Sequence, residues 1–370
     1  MIKKELYLND IIINTAKEAL KIQKADGSFP AGHNGPWKQE DTPVRVTAHW
    51  GILLLKAFTL NNIQEFKQSA AKAYSYLSSE KLRPSNYSYH CIQTDNEVAQ
   101  CNGLIGQAWV IESLIDAYLT LDDSSYLDIA ESLILKHNFD KNLCLWNVLG
   151  INGKILRIHR TFNQQLWFSV MAYKTAKLRK NKVIMSCVNM FFEKLPQFME
   201  FKKYIKMHIK DEVFLQNTNL ISKYKKKISN IQNKKYFNKM SKGYLSFSLL
   251  GLSELYIADK NNDIWNDVKI KEKILKSINF LDKKIFYEDS NEFSFQYNPV
   301  GFEVALIKER FSEYLGDSIS QDIDRWIFKQ LFNHFDFTKM LMVKNTTDNN
   351  TLASRIYEIT RLQNRLTELK

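Results

Sequence analysis

Hydrophobic and polar positions follow two alternating styles along this chain. Six segments begin with a small or polar residue and continue apolar on nearly every side. They are TAHWGILLLKAF from Thr47, CNGLIGQAWVIESLIDAY from Cys101, TFNQQLWFSVMAYKTAK from Thr161, SKGYLSFSLLGLSELY from Ser241, YNPVGFEVALIKERF from Tyr297 and LASRIYEITRLQNR from Leu352. Six amphipathic stretches lie between and around them: Leu8–Lys24, Ile63–Glu80, Ser125–His137, Lys182–Phe201, Asn266–Leu281 and Ile319–His334. Their apolar residues recur at helical spacing, and Lys, Asp and Glu fill the other face. The first set predicts helices buried on most sides and the second helices with one wet side. Hairpins of one buried and one half-exposed helix make an inner ring inside an outer ring.

Taking Thr47, Asn102, Phe162, Gly243, Asn298 and Ser354 as inner starts, the steps are 55, 60, 81, 55 and 56 residues. Six units at a near-regular step favour a closed ring over an open superhelix. The expected fold is an all-α, single-domain (α/α)6 toroid over residues 1–370. The long step holds an insertion at about 205–240. Only 12 Gly and 6 Pro interrupt the chain, which suits long helices. Hydrophobic content of 45% supplies a large core and excludes disorder as the main state.

The net charge is +12, but much of the excess sits in one stretch, Lys223–Lys239 (KYKKKISNIQNKKYFNK). A local run of this kind reads first as a solvated face. Its alternative is peripheral contact with an anionic membrane surface, and nucleic acid is not expected as a partner. Cys91, Cys101, Cys144 and Cys187 form no CxxC pair, so reduced thiols in a cytoplasmic protein are expected. Glu5, Asn9 and Asp10 break any signal-peptide core near the start, and no long uninterrupted apolar run predicts a membrane span.

Connections differ in length. Short turns leave the inner helices, and long polar, aromatic loops lead into them, as in Asp26–Arg45, Arg83–Gln100 and Phe139–Arg160. These loops fall on the face where the inner helices begin, where function on a rigid scaffold usually lies. Converging helix N-termini carry free N–H groups and partial positive charge, which suits an anionic ligand. Arg45, Arg160 and Arg355, near three starts, match a carboxylate or phosphate through bidentate bonds, or else cap and pair locally. Trp37, in a loop, is the candidate platform for a sugar ring, whereas Trp109 and Trp167, inside inner helices, read as core. Asp41, Asn102, His159, Gln164 and Asn298 complete the expected substrate-binding set.

Proton transfer is assigned to His49, His90, Tyr297, Glu303 and Glu358. Glu358 has Arg355 and Arg361 at i−3 and i+3, so an ion network explains it equally well; Glu303 has no such local partner. No histidine pair has metal-ligand spacing, and neither a metal nor a cofactor is expected.

The stretch GQAW (Gly106–Trp109) resembles the RGQAW segment of unsaturated glucuronyl hydrolases. The whole chain is similar to helical-toroid proteins encoded in glycan-assembly clusters, glucuronyl C5-epimerase-like proteins among them. AGHNGPW, TAHW, CNGLIGQAW, QYNPVGFE and SRIYEITRL carry this likeness in patches from about residue 26 to 361. It implies the toroid and carbohydrate chemistry. Two departures count against hydrolysis. Ile105 stands where the hydrolases carry arginine, and Asn102 and Asn163 occupy starts where their catalytic aspartates are sought. QKADGSF (Gln23–Phe29) is similar to a triterpene-cyclase repeat but occurs once, without an aspartate-rich motif.

The expected function is action on a uronic-acid-containing glycan by acid/base proton transfer, of the epimerase or lyase type. The expected partner is an acidic oligosaccharide or lipid-linked glycan. The alternatives are a glycoside hydrolase with paired carboxylates and a non-catalytic glycan-binding scaffold.

Overall fold

The protein is described here from a computed structural model, which covers residues 4–215, 234–288, 291–318 and 322–369. Five inner helices are Val44–Asn61, Ile105–Leu121, Phe162–Arg179, Leu245–Ala258 and Val300–Leu315. The sixth inner element runs Asn349–Ser354 as α-helix and Arg355–Arg361 as 3-10 helix. Each packs on the next, and the sixth packs on the first, so the ring closes. The outer helices are Leu8–Ile22, Gln64–Leu77, Ser124–Lys136, Lys182–Phe198, Val268–Lys283 and Ile323–His334.

The two patterns of the sequence map onto these two rings. In the first inner helix an unbroken run from Val44 to Leu55 is buried. In the outer helix Gln64–Leu77 the buried set is Phe66, Ser69, Ala70, Ala73, Tyr74 and Leu77, one stripe at helical spacing.

Two-residue turns link the first three inner helices to their outer partners. Asn62, Asp122 and Lys180 take the left-handed conformation, at φ 58°, 57° and 54°, and their N–H groups bond back to Phe58, Tyr118 and Ala176. The next residue then starts the outer helix. Asp123 and Asn181 cap theirs through side-chain oxygens.

The loops at the opposite end carry small sheets that hydrophobic periodicity did not reveal. They include the hairpin His33–Asn34/Gln39–Glu40, a three-stranded sheet (Phe139–Asp140, Leu145–Leu149, Ile155–Ile158) and the hairpin Met199–Phe201/Ile205–Ile209. Lys4–Tyr7 pairs antiparallel with Leu366–Leu369 and ties the two ends of the chain together. The expected insertion falls between the fourth outer and fourth inner helices. Residues 216–233, most of the basic stretch, lie outside the described residues. All four cysteines are free. The stretch Glu97–Leu121 reaches the length and hydropathy of a membrane span, but 72% of that window is buried, as befits a core helix of the ring.

Candidate active site

The sixth inner element departs from an α-helix in a way that organises the barrel axis. At three residues per turn, side chains at i and i+3 eclipse. Arg355, Glu358 and Arg361 therefore stand in one column of alternating charge. Arg355 Nη2 donates to Glu358 Oε1 at 3.0 Å, and Arg361 Nη1 to Glu358 Oε2 at 3.1 Å. Arg355 also donates to Glu303 Oε1 at 2.9 Å, and Glu303 Oε2 accepts from Ser246 Oγ at 2.6 Å. Lower on the axis, Arg361 meets Glu112 and Glu254, and Glu254 also binds Lys174 and Arg310. Burial pushes Glu303 up to about 7 despite Arg355.

A cavity of about 320 Å³ opens at the end of the toroid where the inner helices begin. Trp109 and Phe247 form part of its wall, and the Arg355 guanidinium lies behind them, 5.8 and 5.7 Å from their ring centres. Arg45, at the second position of the first inner helix, is the cation on the wall. It is held by Asp41, by Thr351 Oγ1 at 3.0 Å and by the His33 carbonyl at 2.9 Å, and its guanidinium lies 5.6 Å from the Trp109 ring centre. Burial raises the Asp41 pKa, and Arg45 opposes the shift.

Amides line the same cavity: Asn34, Gln39, Asn102, Asn163, Gln164 and Asn298. Trp37, Tyr244 and Tyr297 add aromatic surface. Arg45 Nε, Trp109 Nε1 and Asn163 Oδ1 are buried without a hydrogen-bond partner among the described residues. Orphaned polar atoms on a cavity wall mark where a polar ligand completes the bonding.

Two imidazoles share one wall, His159 before the third inner helix and His208 in the hairpin Ile205–Ile209. An antiparallel bridge pairs Thr161 with His208, and strand alternation puts residues 159, 161 and 208 on one face. His159 Nδ1 accepts the Thr161 N–H at 3.3 Å, so in the neutral ring Nε2 carries the proton. Burial pushes His159 down to about 3, aided by Arg157 and His208. Burial also lowers His208. Both rings are therefore neutral near pH 7.

Seven of the residues singled out from sequence line this cavity: Trp37, Arg45, Asn102, His159, Gln164, Tyr297 and Asn298. Gln164 Oε1 accepts from Leu104 N at 2.9 Å, and Tyr297 Oη bonds Thr347 Oγ1 at 2.7 Å. Seven others do not. Asp41 serves Arg45 from behind. Glu303, Arg355 and Glu358 belong to the axial column. His49 lies one turn below Arg45, wholly buried, stacked on Tyr357 at 4.4 Å and pushed far below the ordinary imidazole range by burial. His90 turns its ring to the Ile92 carbonyl at 3.0 Å. Arg160 is exposed and covers the Phe214 ring at 4.4 Å.

Sequence reasoning missed His208, Met207, Met240 and Tyr244, which the segment before the fourth inner helix supplies, and assigned Trp109 to the core alone. The alternation in IKMHI was the available signal for a strand there. None of the described lining residues is Asp or Glu. Among the described residues no group of three or more His, Cys, Asp or Glu is placed to hold a metal ion.

A closed ring of six helical hairpins with a polar, aromatic cavity at its loop-bearing end defines an (α/α)6 toroid. Cellobiose 2-epimerase from Bacillus thermoamylovorans B4167 superposes with a TM-score of 0.62 at 10% identity, covering 95% of this chain and 98% of that one. An unsaturated glucuronyl hydrolase specific for heparin gives 0.61 at 11% identity, over 96% and 95% of the two chains. A D-mannose isomerase gives 0.61 at 12% identity, over 96% and 97%. At such identities the likeness is one of fold. No protein-family model matches the chain. Archaeal glycosylation protein Q of Haloferax volcanii is 32% identical over 368 residues, covering 96% of this chain and 97% of that protein. The chain belongs to the family of archaeal glycosylation protein Q.

Proposed function

We propose that this protein is an epimerase or lyase that moves the proton beside the carboxylate of a uronic acid in a glycan used for protein glycosylation. One observation carries the reading: the cavity pairs a fixed arginine with two neutral imidazoles, and its described lining has no carboxylate. Arg45 receives the sugar carboxylate and stabilises the charge that develops when the adjacent C–H is deprotonated. His208, whose ring has no hydrogen bond among the described residues, is the base. His159 presents Nε2–H as a neutral donor to the developing enolate. The phenols of Tyr297 and Tyr244 are the acids that return a proton or protonate a leaving oxygen.

The glycosylation role of the relative and the epimerase, isomerase and hydrolase neighbours support a carbohydrate substrate. The hydrolase alternative requires two carboxylates flanking the scissile bond. Glu303 and Glu358, its candidates, share Arg355 behind the cavity wall instead.

The test is incubation of the protein with uronate-terminated oligosaccharides in D2O. Deuterium at the carbon beside the carboxylate without new reducing ends is the result expected of an epimerase, and new chain ends together with an unsaturated uronate that of a lyase. New reducing ends with a saturated, undeuterated uronate would establish hydrolysis and overturn the proposal.

A further inference from the structure

The rim of the cavity carries aromatic surface that the chemistry above does not use. Trp37 is 43% exposed and Tyr236 45% exposed. Both lean on one buried ring, Phe293, with centroid distances of 5.7 Å for each. Isolated exposed aromatics need no explanation. These two flank a common buttress at the mouth of a cavity, and Trp37 itself lines that cavity. Phe293 packs with Met207 and Met240, also cavity-lining, so the aromatic shelf and the cavity form one continuous surface.

The shelf is rigid. Trp37 sits in the tight turn of the hairpin His33–Asn34/Gln39–Glu40, where Gly35 and Lys38 take left-handed φ values of 49° and 53°. Asp348 Oδ2 accepts the His33 N–H at 2.8 Å, and Arg45 donates to the His33 carbonyl at 2.9 Å. The indole is therefore held in place before any ligand arrives, which removes an ordering cost from binding. The far end of the cavity is closed, since Trp109 and Phe247 are backed by buried Arg355. A glycan chain cannot thread through it.

We infer that the cavity takes only the terminal sugar of an extended oligosaccharide and that Trp37 and Tyr236 bind the sugars that follow it, through the apolar C–H faces of their rings. The inference rests on the carbohydrate reading proposed above and narrows its substrate from a uronate anywhere in a glycan to one at the end of an oligosaccharide, with the following sugars part of the recognised unit.

The experiment compares a methyl uronoside, a uronate-terminated trisaccharide and a nucleoside-diphosphate uronate as substrates for the wild type, Tyr236→Ala and Tyr236→Phe, by deuterium incorporation and by calorimetric binding. The trisaccharide is expected to be preferred about tenfold over the methyl uronoside by the wild type, the size of one good aromatic contact. Tyr236→Ala should lose most of that preference with the methyl uronoside unchanged, and Tyr236→Phe should restore it. Equal losses on both substrates, or a wild type that prefers the nucleotide sugar, would overturn the shelf. If no substrate gains deuterium or yields an unsaturated uronate but the trisaccharide still binds more tightly in a Tyr236-dependent way, the shelf stands and the proton-transfer reading falls.

Discussion

Arg355 Nη2 and Glu303 Oε1 lie 2.9 Å apart in the sealed middle of the toroid, each with no more than 2% of its side chain exposed. That contact makes Glu303 part of the scaffold and a source of pH dependence. Burial raises its pKa from 4.5 to about 7. Between those values the native state keeps a proton that the unfolded chain releases, so its contribution to stability is full below pH 4.5 and is lost as pH rises through 7. The difference is of order 3 kcal/mol. Glu303→Gln removes this contribution, so relative to the wild type it should gain stability as pH goes from 5 to 7. Denaturant titrations at the two pH values measure it. A constant difference between the two proteins would mean that Glu303 stays ionised against Arg355. Glu112, also raised to about 7 by burial, remains in the variant, so the comparison must be made by difference.

The two arginines should separate cleanly. Arg45 faces the cavity and Arg355 does not. Arg45→Lys keeps a cation beside Asp41 but loses the planar fork. It should raise KM for acidic oligosaccharides roughly tenfold, with neutral ones little changed and stability nearly preserved. Arg355→Met leaves Glu303 and Glu358 facing each other without their shared cation. It should cost roughly 3–5 kcal/mol in denaturant unfolding. Equal effects of both variants on acidic-ligand binding would contradict this division.

The distinction between those arginines was hidden in the sequence by a matter of register. Both stand near the start of an apolar segment. The first inner helix begins at Val44, so Arg45 is at its mouth, whereas the sixth element begins at Asn349 and carries Arg355 more than a turn inward. The sequence pattern of charges at i−3 and i+3 around Glu358 did foretell its ion network, because 3-10 and α geometry both bring such residues together. The rings themselves were legible because burial on all sides or on one stripe leaves a direct periodic trace. The two-residue strands left none: His33–Asn34 and Gln39–Glu40 are fixed by partners as distant as Asp348. The strand Ile205–Ile209 did alternate, but the place of His208 on the wall depends on a bridge to Thr161 across the chain, which no local pattern shows.

Gly103 couples the second and third inner helices at the cavity. It takes φ +58°, and a Cβ there would lie 2.2 Å from Gln164 Oε1 and 3.0 Å from His159 Nε2. Gln164 uses that oxygen to accept the Leu104 N–H. Gly103→Ala should displace both side chains, lowering kcat at least tenfold while costing about 1–2 kcal/mol of stability from the strained φ. Activity and a melting curve on the same preparation test it. Full activity with the expected loss of stability would show that His159 needs no fixed position.

The histidines give the sharpest test of the chemistry. An ordinary imidazole base, with a pKa near 6.5, loses most of its activity by about pH 5. His159 is held down to about 3, and burial lowers His208 below the ordinary imidazole value. The acid limb of the kcat/KM profile for deuterium exchange should therefore fall below pH 6.5. His208→Gln should lower the exchange rate by about 10²–10⁴ while leaving binding of the acidic glycan, which Arg45 governs, within a few-fold. His159→Gln should cost less, because an amide N–H can still donate where Nε2–H did. An acid limb near pH 6.5, or a His208→Gln protein that exchanges at the wild-type rate, would remove His208 from the role of base.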